Sequence, residues 1–552
     1  MRKVTTLFIF LTLHLLTSAQ GGVWTWVKGD NYTSSQGVRG QVGIANSTDY
    51  PSGRYNAAQW TDLDGNFWIF GGQLNTNPDM CNDLWKFEPA NNTWTWVKGP
   101  SAWDEQGTYG TQGVPASANV PGARCKGART WTDLQGRLWL SAGYGYDANG
   151  NVGWLDDVWM YDITTNQWTW MKGTNTGNDI YAVYGTLGME SPDNTPGGRK
   201  ECNSNWVLPD GTFWTFGGDD FNIGPYNDMW RFNINTNNWA WMGGGFINTQ
   251  YGTLNVESSF YLPTSRRTFT HWQDSANNLY IFGGFDDYDN GTFNDIWRFN
   301  TTNNEWTWIG GDDTENGSGT YVSQCKNDQT LLPGSRFENR TVQTKGCIDI
   351  SWSFGGLTNL HDNVLDSYND LWIYNIVTTE WLWVSGSNEQ NPAGNFGIIN
   401  QPSIANIPPG RGGCCLWVDQ SGSLWMWGGA DSLGSTWNDM WNFVPDSNCM
   451  KNLCIPTDNN VFVIATAFSP NGDNKNELFY PILSNSFNSS ILSFKIYNRW
   501  GQLIYENPLQ GWDGTYKGEP QPAGIYTCFV TVSLPDNGNS EITRQGTFAL
   551  FR

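Results

Sequence analysis

Short alternating runs of apolar and polar residues, broken by glycine- and asparagine-rich turns, recur from residue 22 to residue 445. Alternation of this kind predicts strands with one buried and one more polar face. In the stretch 196–241, residues 199–207 read as a first strand. Pro209-Asp210-Gly211 reads as a tight turn of the kind that joins antiparallel strands. Residues 212–216 form a second strand ending at Gly217-Gly218, 229–232 a third, 233–237 a polar turn and 239–242 a fourth. Four short strands with Gly-rich turns predict one all-β unit.

The unit repeats. Asn-Asp-x-Trp or a near copy occurs six times, ending at Trp85, Trp159, Trp230, Trp297, Trp372 and Trp441. A Gly-Gly pair, once Ala-Gly, precedes each: Gly71-Gly72, Ala142-Gly143, Gly217-Gly218, Gly283-Gly284, Gly355-Gly356 and Gly428-Gly429. Trp-x-Trp also occurs six times, at Trp24/Trp26, Trp94/Trp96, Trp168/Trp170, Trp239/Trp241, Trp306/Trp308 and Trp381/Trp383. No single unit can bury a core, so neighbours must stack. Wide aromatic plates suit the wedge between stacked sheets, and the glycines permit positive φ or close backbone approach.

These glycines, the Asn-Asp-x-Trp block and the Trp that follows resemble the kelch repeat, the blade unit of kelch propellers and of the galactose oxidase central domain. The resemblance spans about residues 21–445. One departure is length: the Gly-Gly spacings run 66 to 75 residues, against about 50 for kelch. The surplus lies between each fourth strand and the next first strand. Trp24/Trp26 precedes the first unit and no Trp-x-Trp follows Trp441. The N-terminal strand is therefore expected to complete the last blade and close a six-bladed propeller over residues 20–447.

The repeat stops after Cys454, and residues 461–552 read as a second, small β-domain after a linker at 448–460. Phe468-Ser469-Pro470-Asn471-Gly472-Asp473, Asn498-Arg499-Trp500-Gly501, Trp512-Asp513-Gly514, Pro522-Ala523-Gly524-Ile525-Tyr526 and Gly546-Thr547-Phe548 follow in order. Together they resemble the type B C-terminal sorting domain of the type IX secretion system, also called gliding-motility-associated. The resemblance implies an Ig-like β-sandwich, engagement of that secretion machinery, and delivery of a Bacteroidota-type protein to the cell surface or the medium. Asn471-Gly472-Asp473-Asn474 carries part of a calcium-loop ligand series. It lacks the rest and reads first as a polar turn, and no other metal or cofactor is expected.

Residues 1–19 read as a signal peptide, with Arg2 and Lys3, an apolar run at 7–16 and a small-residue site at Thr17-Ser18-Ala19. No other stretch approaches a membrane-spanning length. The formal charge of −22 falls to −24 once Arg2 and Lys3 are removed. That charge disfavours nucleic acid and anionic lipid as partners. The ten cysteines of an exported chain can pair. Cys449 with Cys454 is the first candidate pair and Cys325 with Cys347 the second. Cys125, Cys202 and Cys414 occupy similar repeat positions and read as small core residues.

Long loops after each second and fourth strand emerge at one end of the propeller, opposite short turns such as Asp64-Gly65. Function concentrates on long loops carried by a rigid scaffold, so the long-loop end is the expected binding face. Each insert ends in Pro-x-x-Arg, giving Arg54, Arg124, Arg199, Arg266, Arg336 and Arg411. Six guanidiniums can line a channel mouth and bind an anionic or polyhydroxy ligand. Alternatively each pairs with a repeated carboxylate such as Asp83, Asp228 or Asp295. Perfect repetition favours pairing.

Of 34 tryptophans, all but six sit at repeated positions, and Trp500 and Trp512 belong to the C-terminal markers. Among the remainder, Trp103, Trp154 and Trp437 lie on inserts or loops and are the candidate ligand contacts. Glycan or protein ligands are the expected partners. The rival reading is a carbohydrate-active enzyme using loop carboxylates such as Asp219-Asp220 or Asp286-Asp287. Copper chemistry of the galactose oxidase kind would need two histidines, and His271 and His361 fall in different units. No Gly-x-Ser-x-Gly or His-Glu-x-x-His occurs.

Overall fold

Six antiparallel sheets arise from the repeated strands in the computed structural model. It describes residues 21–552 except 76–78, 177–179, 203, 221–223, 246–250, 287–290, 346–348, 362–363, 452–461, 473–475, 484–489 and 535–539. The proposed signal peptide therefore lies outside the described residues. The chain divides into two compact units, the first holding the six sheets and ending at Met450, the second holding the C-terminal β-domain.

The first sheet shows the common plan. Strands β2 (Ala58–Thr61), β3 (Phe67–Phe70), β4 (Leu84–Glu88) and β5 (Thr93–Lys98) pair in sequence order. The sixth sheet joins Cys415–Val418, Leu424–Trp427 and Met440–Pro445 to β1 (Gly22–Lys28) at its outer edge. Trp24 opposes Phe443 and Trp26 opposes Trp441. The first strand of the third unit is shorter than its sequence pattern predicts, only Trp206–Val207. Glu201 takes a left-handed φ of 56° and breaks the extended run.

Neighbouring sheets join through aromatic layers. Phe67 stacks on Trp417 at 5.0 Å between the first and sixth sheets, and Trp131 stacks on Phe213 at 5.0 Å between the second and third. The two members of each Trp-x-Trp differ. Trp94 is fully buried between sheets. Trp96 is half-buried, lies against Trp85 and donates Nε1–H to the Lys98 carbonyl at 3.1 Å.

The second glycine of each Gly-Gly pair donates its N–H to the carbonyl of the Pro-x-x-Arg arginine in the next sheet. The bonds run Gly72 to Arg124, Gly143 to Arg199, Gly218 to Arg266, Gly284 to Arg336 and Gly356 to Arg411, at 2.8–3.3 Å. A sixth, Gly429 to Arg54 at 3.0 Å, runs from the last sheet back to the first. Close packing favours glycine at the first position of the pair as well: a Cβ on Gly71 would approach the Arg124 carbonyl to 2.5 Å at a φ of +68°, and Ala142 is the one copy that carries a Cβ there, at a φ of 63°.

The surplus length of each repeat covers an exposed sheet edge. Insert residues Gly43, Gly113, Gly188, Asn255, Cys325 and Asn400 donate N–H to the carbonyls of Trp96, Trp170, Trp241, Trp308, Trp383 and Trp26 at 2.7–2.8 Å. In two sheets the insert forms a fifth strand, Glu190–Ser191 and Glu257–Ser258. Much of each insert thus runs along the outer strand and satisfies its free backbone groups, and is not all given to the loop end.

The cysteine pairing differs from the expected one. Cys449 bonds to Cys325, 124 residues away, and not to Cys454. The short helix Ser447–Lys451 carries Cys449 back onto the insert of the fifth sheet, beside Gly21. Cys347 and Cys454 lie outside the described residues. Cys81, Cys125, Cys202, Cys414, Cys415 and Cys528 are buried free thiols. Adjacent Cys414 and Cys415 have separate surroundings: Cys414 abuts Gly429, and Cys415 joins the core between the sixth and first sheets. Closing so long a loop restricts the unfolded chain, an effect of about 2–4 kcal/mol. Replacing Cys325 and Cys449 by serine is expected to lower the melting temperature, and a reducing agent should do the same to the native chain alone. Equal melts with and without reductant would refute this.

The second unit holds a five-stranded sheet in which Ala467–Phe468 lies parallel to Ser540–Leu550. Gly524–Leu534, Ser490–Tyr497 and Leu503–Glu506 follow in order. Its core includes Phe468, Phe479, Phe494, Trp512, Tyr526 and Phe548.

Candidate functional site

The six Pro-x-x-Arg arginines are buried and do not line a mouth open to ligand. Each points into its own sheet and forms a two-pronged ion pair with the Asp of its Asn-Asp-x-Trp block. Arg54 pairs with Asp83, Arg124 with Asp157, Arg199 with Asp228, Arg266 with Asp295, Arg336 with Asp370 and Arg411 with Asp439, at closest distances of 2.5–2.8 Å. The same guanidinium donates to the first Gly carbonyl, as Arg199 Nη1 does to Gly217 at 3.0 Å. The Trp two residues on donates Nε1–H to the same carboxylate, as Trp230 does to Asp228 at 2.8 Å. Tyr109, Tyr184 and Tyr321, from the inserts, add hydroxyl donors to Asp157, Asp228 and Asp370 at 2.6–3.1 Å. Burial alone would raise the Asp83 pKa. The charge and hydrogen bonds of Arg54 outweigh it and hold Asp83 below the usual carboxylate range. As ligand contacts these arginines are therefore corrected: their donors are committed inside the fold.

Trp437 is corrected in the same way. It precedes Asn438-Asp439, and its ring lies 4.9 Å from the Arg411 guanidinium and 5.7 Å from Phe396. Tyr226 on Arg199, Phe293 on Arg266 and Tyr368 on Arg336 hold the equivalent place at 3.8–4.8 Å. Trp437 is thus one copy of a repeated aromatic that stacks on the buried ion pair. Aligning the residue just before each Asn-Asp block would have revealed it.

Trp154 and Trp103 lie elsewhere. Trp154 ends a hairpin of Tyr144–Tyr146 and Val152–Trp154, half-buried with its ring edge-on to Tyr144 at 5.1 Å. Lys200 Nζ stands 5.5 Å from the Trp154 ring, and Lys126 Nζ 5.3 Å from the Tyr144 ring. Trp103 is 41% exposed. It walls a cavity of about 120 Å³ shared with Ser34, Ser35, Gln36, Asn75, Asp79 and Thr436.

The first strands line a central space. A cavity of about 300 Å³ is bordered by Gln59, Thr61, Thr130, Thr132, Asn205, His271, Gln273, Thr341 and Gln343. Some of these side chains bond one another and others bond main-chain carbonyls: Asn205 donates to Thr130 Oγ1 at 3.1 Å, His271 Nε2 meets Asn205 Oδ1, and Gln59 Nε2 donates to the Leu416 carbonyl at 2.8 Å. Burial, with a smaller effect from Arg340, pushes the His271 pKa down to about 3. Of the loop carboxylates, Asp219 pairs with Lys200 at 3.1 Å and Asp220 accepts from Tyr226 at 2.6 Å. Asp287 and the His361 side chain lie outside what is described. Among the described residues no group of three or more His, Cys, Asp or Glu is placed to hold a metal ion.

In the C-terminal unit the marker residues divide by burial. Trp512 is buried in the core and donates to the Thr515 carbonyl at 2.7 Å. Asp513 caps the following turn by accepting from Thr515 N–H at 2.9 Å. Gly472, Gly501 and Gly514 take φ of 77–82°, and Pro470 packs by Gly514. Arg499 lies over Trp500 at 4.9 Å on a hairpin tip where Trp500 is 78% exposed. Asn471 lies in a separate turn, where its N–H reaches the Ser469 carbonyl at 3.0 Å, while Asp473 lies outside the described residues.

Repeated sheets, paired glycines and buried Arg–Asp–Trp clusters define a kelch-type β-propeller. Residues 275–307 match the Kelch motif, and residues 462–550 match the CHU_C type IX secretion signal domain. That signal implies export to the cell surface or the medium, and no helix among the described residues is long and apolar enough to cross a membrane. No curated protein matches the chain. Among solved structures, one titled "Structure of YjhT" is 14% identical, with 71% of this chain and 95% of that chain covered and a TM-score of 0.42. A fungal alcohol oxidase of the AA5 family in complex with copper is 11% identical, with 93% and 100% covered and a TM-score of 0.42.

Proposed function

We propose that this chain is an exported glycan-binding module. In this reading the six sheets are the blades of a propeller closed by β1, and the C-terminal unit is an Ig-like sandwich that engages the type IX machinery. The observation that carries the ligand assignment is Trp103. A large exposed indole beside a cavity walled by hydroxyl, amide and carboxylate groups suits a sugar, whose ring stacks while its hydroxyls exchange hydrogen bonds. The aromatic and the polar groups come from different inserts carried on a rigid ring.

A polysaccharide array probed with the full mature chain tests this, with turnover assayed on each hit. Trp103→Ala is expected to weaken binding by about 2 kcal/mol, the scale of an aromatic hot spot, with an unchanged melt. Binding that survives Trp103→Ala undiminished would place the ligand elsewhere. Product formation on a bound glycan would turn the reading toward a carbohydrate-active enzyme.

A further inference from the structure

A collar of main chain rings one end of the central space. It uses the residue two places after each buried arginine: Asn56, Lys126, Glu201, Thr268, Glu338 and Gly413. All six take left-handed φ between 52° and 61°. Five of their N–H groups reach the carbonyl of the neighbouring copy in succession. Asn56 donates to Gly413, Gly413 to Glu338, Glu338 to Thr268, Thr268 to Glu201 and Glu201 to Lys126, at 2.5–3.2 Å. Five of these residues are not glycine, and left-handed backbone is costly for them. The shared hydrogen bonds hold them there.

The scaffold needs this backbone, yet the six copies carry five different residue types, glutamate alone occurring twice. Glu201 pairs with Arg267, and Glu338 pairs with Arg340 while accepting from Asn56 Nδ2 at 2.8 Å. Lys126 has no carboxylate within ion-pair distance among the described residues. Burial pushes its pKa down, and the like charges of Lys200 and Arg267 add to this against the opposing influence of Cys125 and Glu338. Aromatic rings brace all three cations: Tyr144 under Lys126, Trp154 under Lys200 and Phe285 under Arg267, at 5.1–5.5 Å. Gly127, next to Lys126, and Arg340 border a small cavity of about 60 Å³ just inside. A half-buried cluster of like charges in a strongly acidic chain is unfavourable by itself and becomes favourable when an anion arrives.

We propose that Lys126, Lys200 and Arg267 form a subsite for the carboxylate of an acidic sugar. This rests on the glycan reading above and narrows it to uronate-type residues. Two of the three cations already carry partners, Asp219 and Glu201. Lys126 is the cation of the three with no ion pair of its own among the described residues, and it is the charge offered to a monoanion. The partner carboxylates are acceptors suited to sugar hydroxyls beside the bound acid group.

The test is calorimetry on the full mature chain with trigalacturonate and with its carboxyl-reduced, neutral trimer. Trigalacturonate is expected to bind about tenfold more tightly, the scale of one charge-assisted hydrogen bond. Lys126→Gln should erase that difference without moving the melt, and Lys126→Arg should restore it. Added salt should weaken only the acidic trimer. Equal affinity for both trimers, or a preference that survives Lys126→Gln, overturns the subsite and leaves the glycan reading standing. Failure of both trimers to bind also overturns it, and an empty polysaccharide array would then remove the broader reading as well. Lys126-dependent binding of pentaglutamate in place of trigalacturonate would overturn it in favour of an acidic protein partner.

Discussion

Replacing Asp228 by alanine is expected to destabilise the first unit by about 3–5 kcal/mol, the effect of breaking one partner out of a buried ion pair. Arg199 is fully buried and meets Asp228 at 2.5 and 2.6 Å. Removing the carboxylate strands a charge that cannot reach water. It also deprives Trp230 Nε1–H and the Tyr184 hydroxyl of their acceptor. Asp228→Asn keeps the shape and one acceptor oxygen, so its loss should be smaller. Denaturant midpoints with slopes distinguish the two. A change under 1 kcal/mol for alanine would show that the buried cluster does not hold the sheet. Acid should act in the same direction. Asp83 is held below its ordinary value, so its contribution is complete above the unfolded carboxylate pKa, about 3.9, and is lost as pH falls through the lower folded value.

Deleting residues 20–29 is expected to have a comparable or larger effect. β1 supplies the outer strand of the sixth sheet through six paired residues from Gly22 to Lys28. Trp24 is buried against Phe354 of the fifth sheet as well as Trp441 and Phe443 of the sixth. Burial of such an indole alone is worth about 3–5 kcal/mol. The deletion also bares the edge of Met440–Pro445, an invitation to pair with another chain. The shortened protein should melt at lower temperature and aggregate. Trp24→Ala, which keeps the strand, should lower the melt without aggregation. A deletion variant that melts like the native chain and stays monomeric would rule out closure by β1.

The periodic parts of this protein were legible from its residues. Period-two alternation, the Gly-Gly pairs and the six Asn-Asp-x-Trp blocks predict the sheets, because strand geometry depends on neighbours a few residues away. The paired role of Arg199 and its counterparts was legible too, since a group repeated in every unit serves the unit. Trp437 was misread because one residue looks unique until its column is compared with Tyr226, Phe293 and Tyr368. The disulfide was misread because Cys454 is near Cys449 in sequence, whereas tertiary packing brings Cys325 to it across 124 residues. The inserts looked like decoration because length alone does not reveal that they cover an outer strand.

The residues alone therefore determined the all-β repeat, its buried Arg–Asp–Trp chemistry and the C-terminal secretion signal. All three depend on local spacing. Tertiary structure decided what stands at the collar. Lys126, Lys200 and Arg267 each follow the repeated arginine of a different unit, and spacing within one unit does not show that they meet. Only the packing of neighbouring sheets, with the left-handed turn after each buried arginine, gathers these three cations.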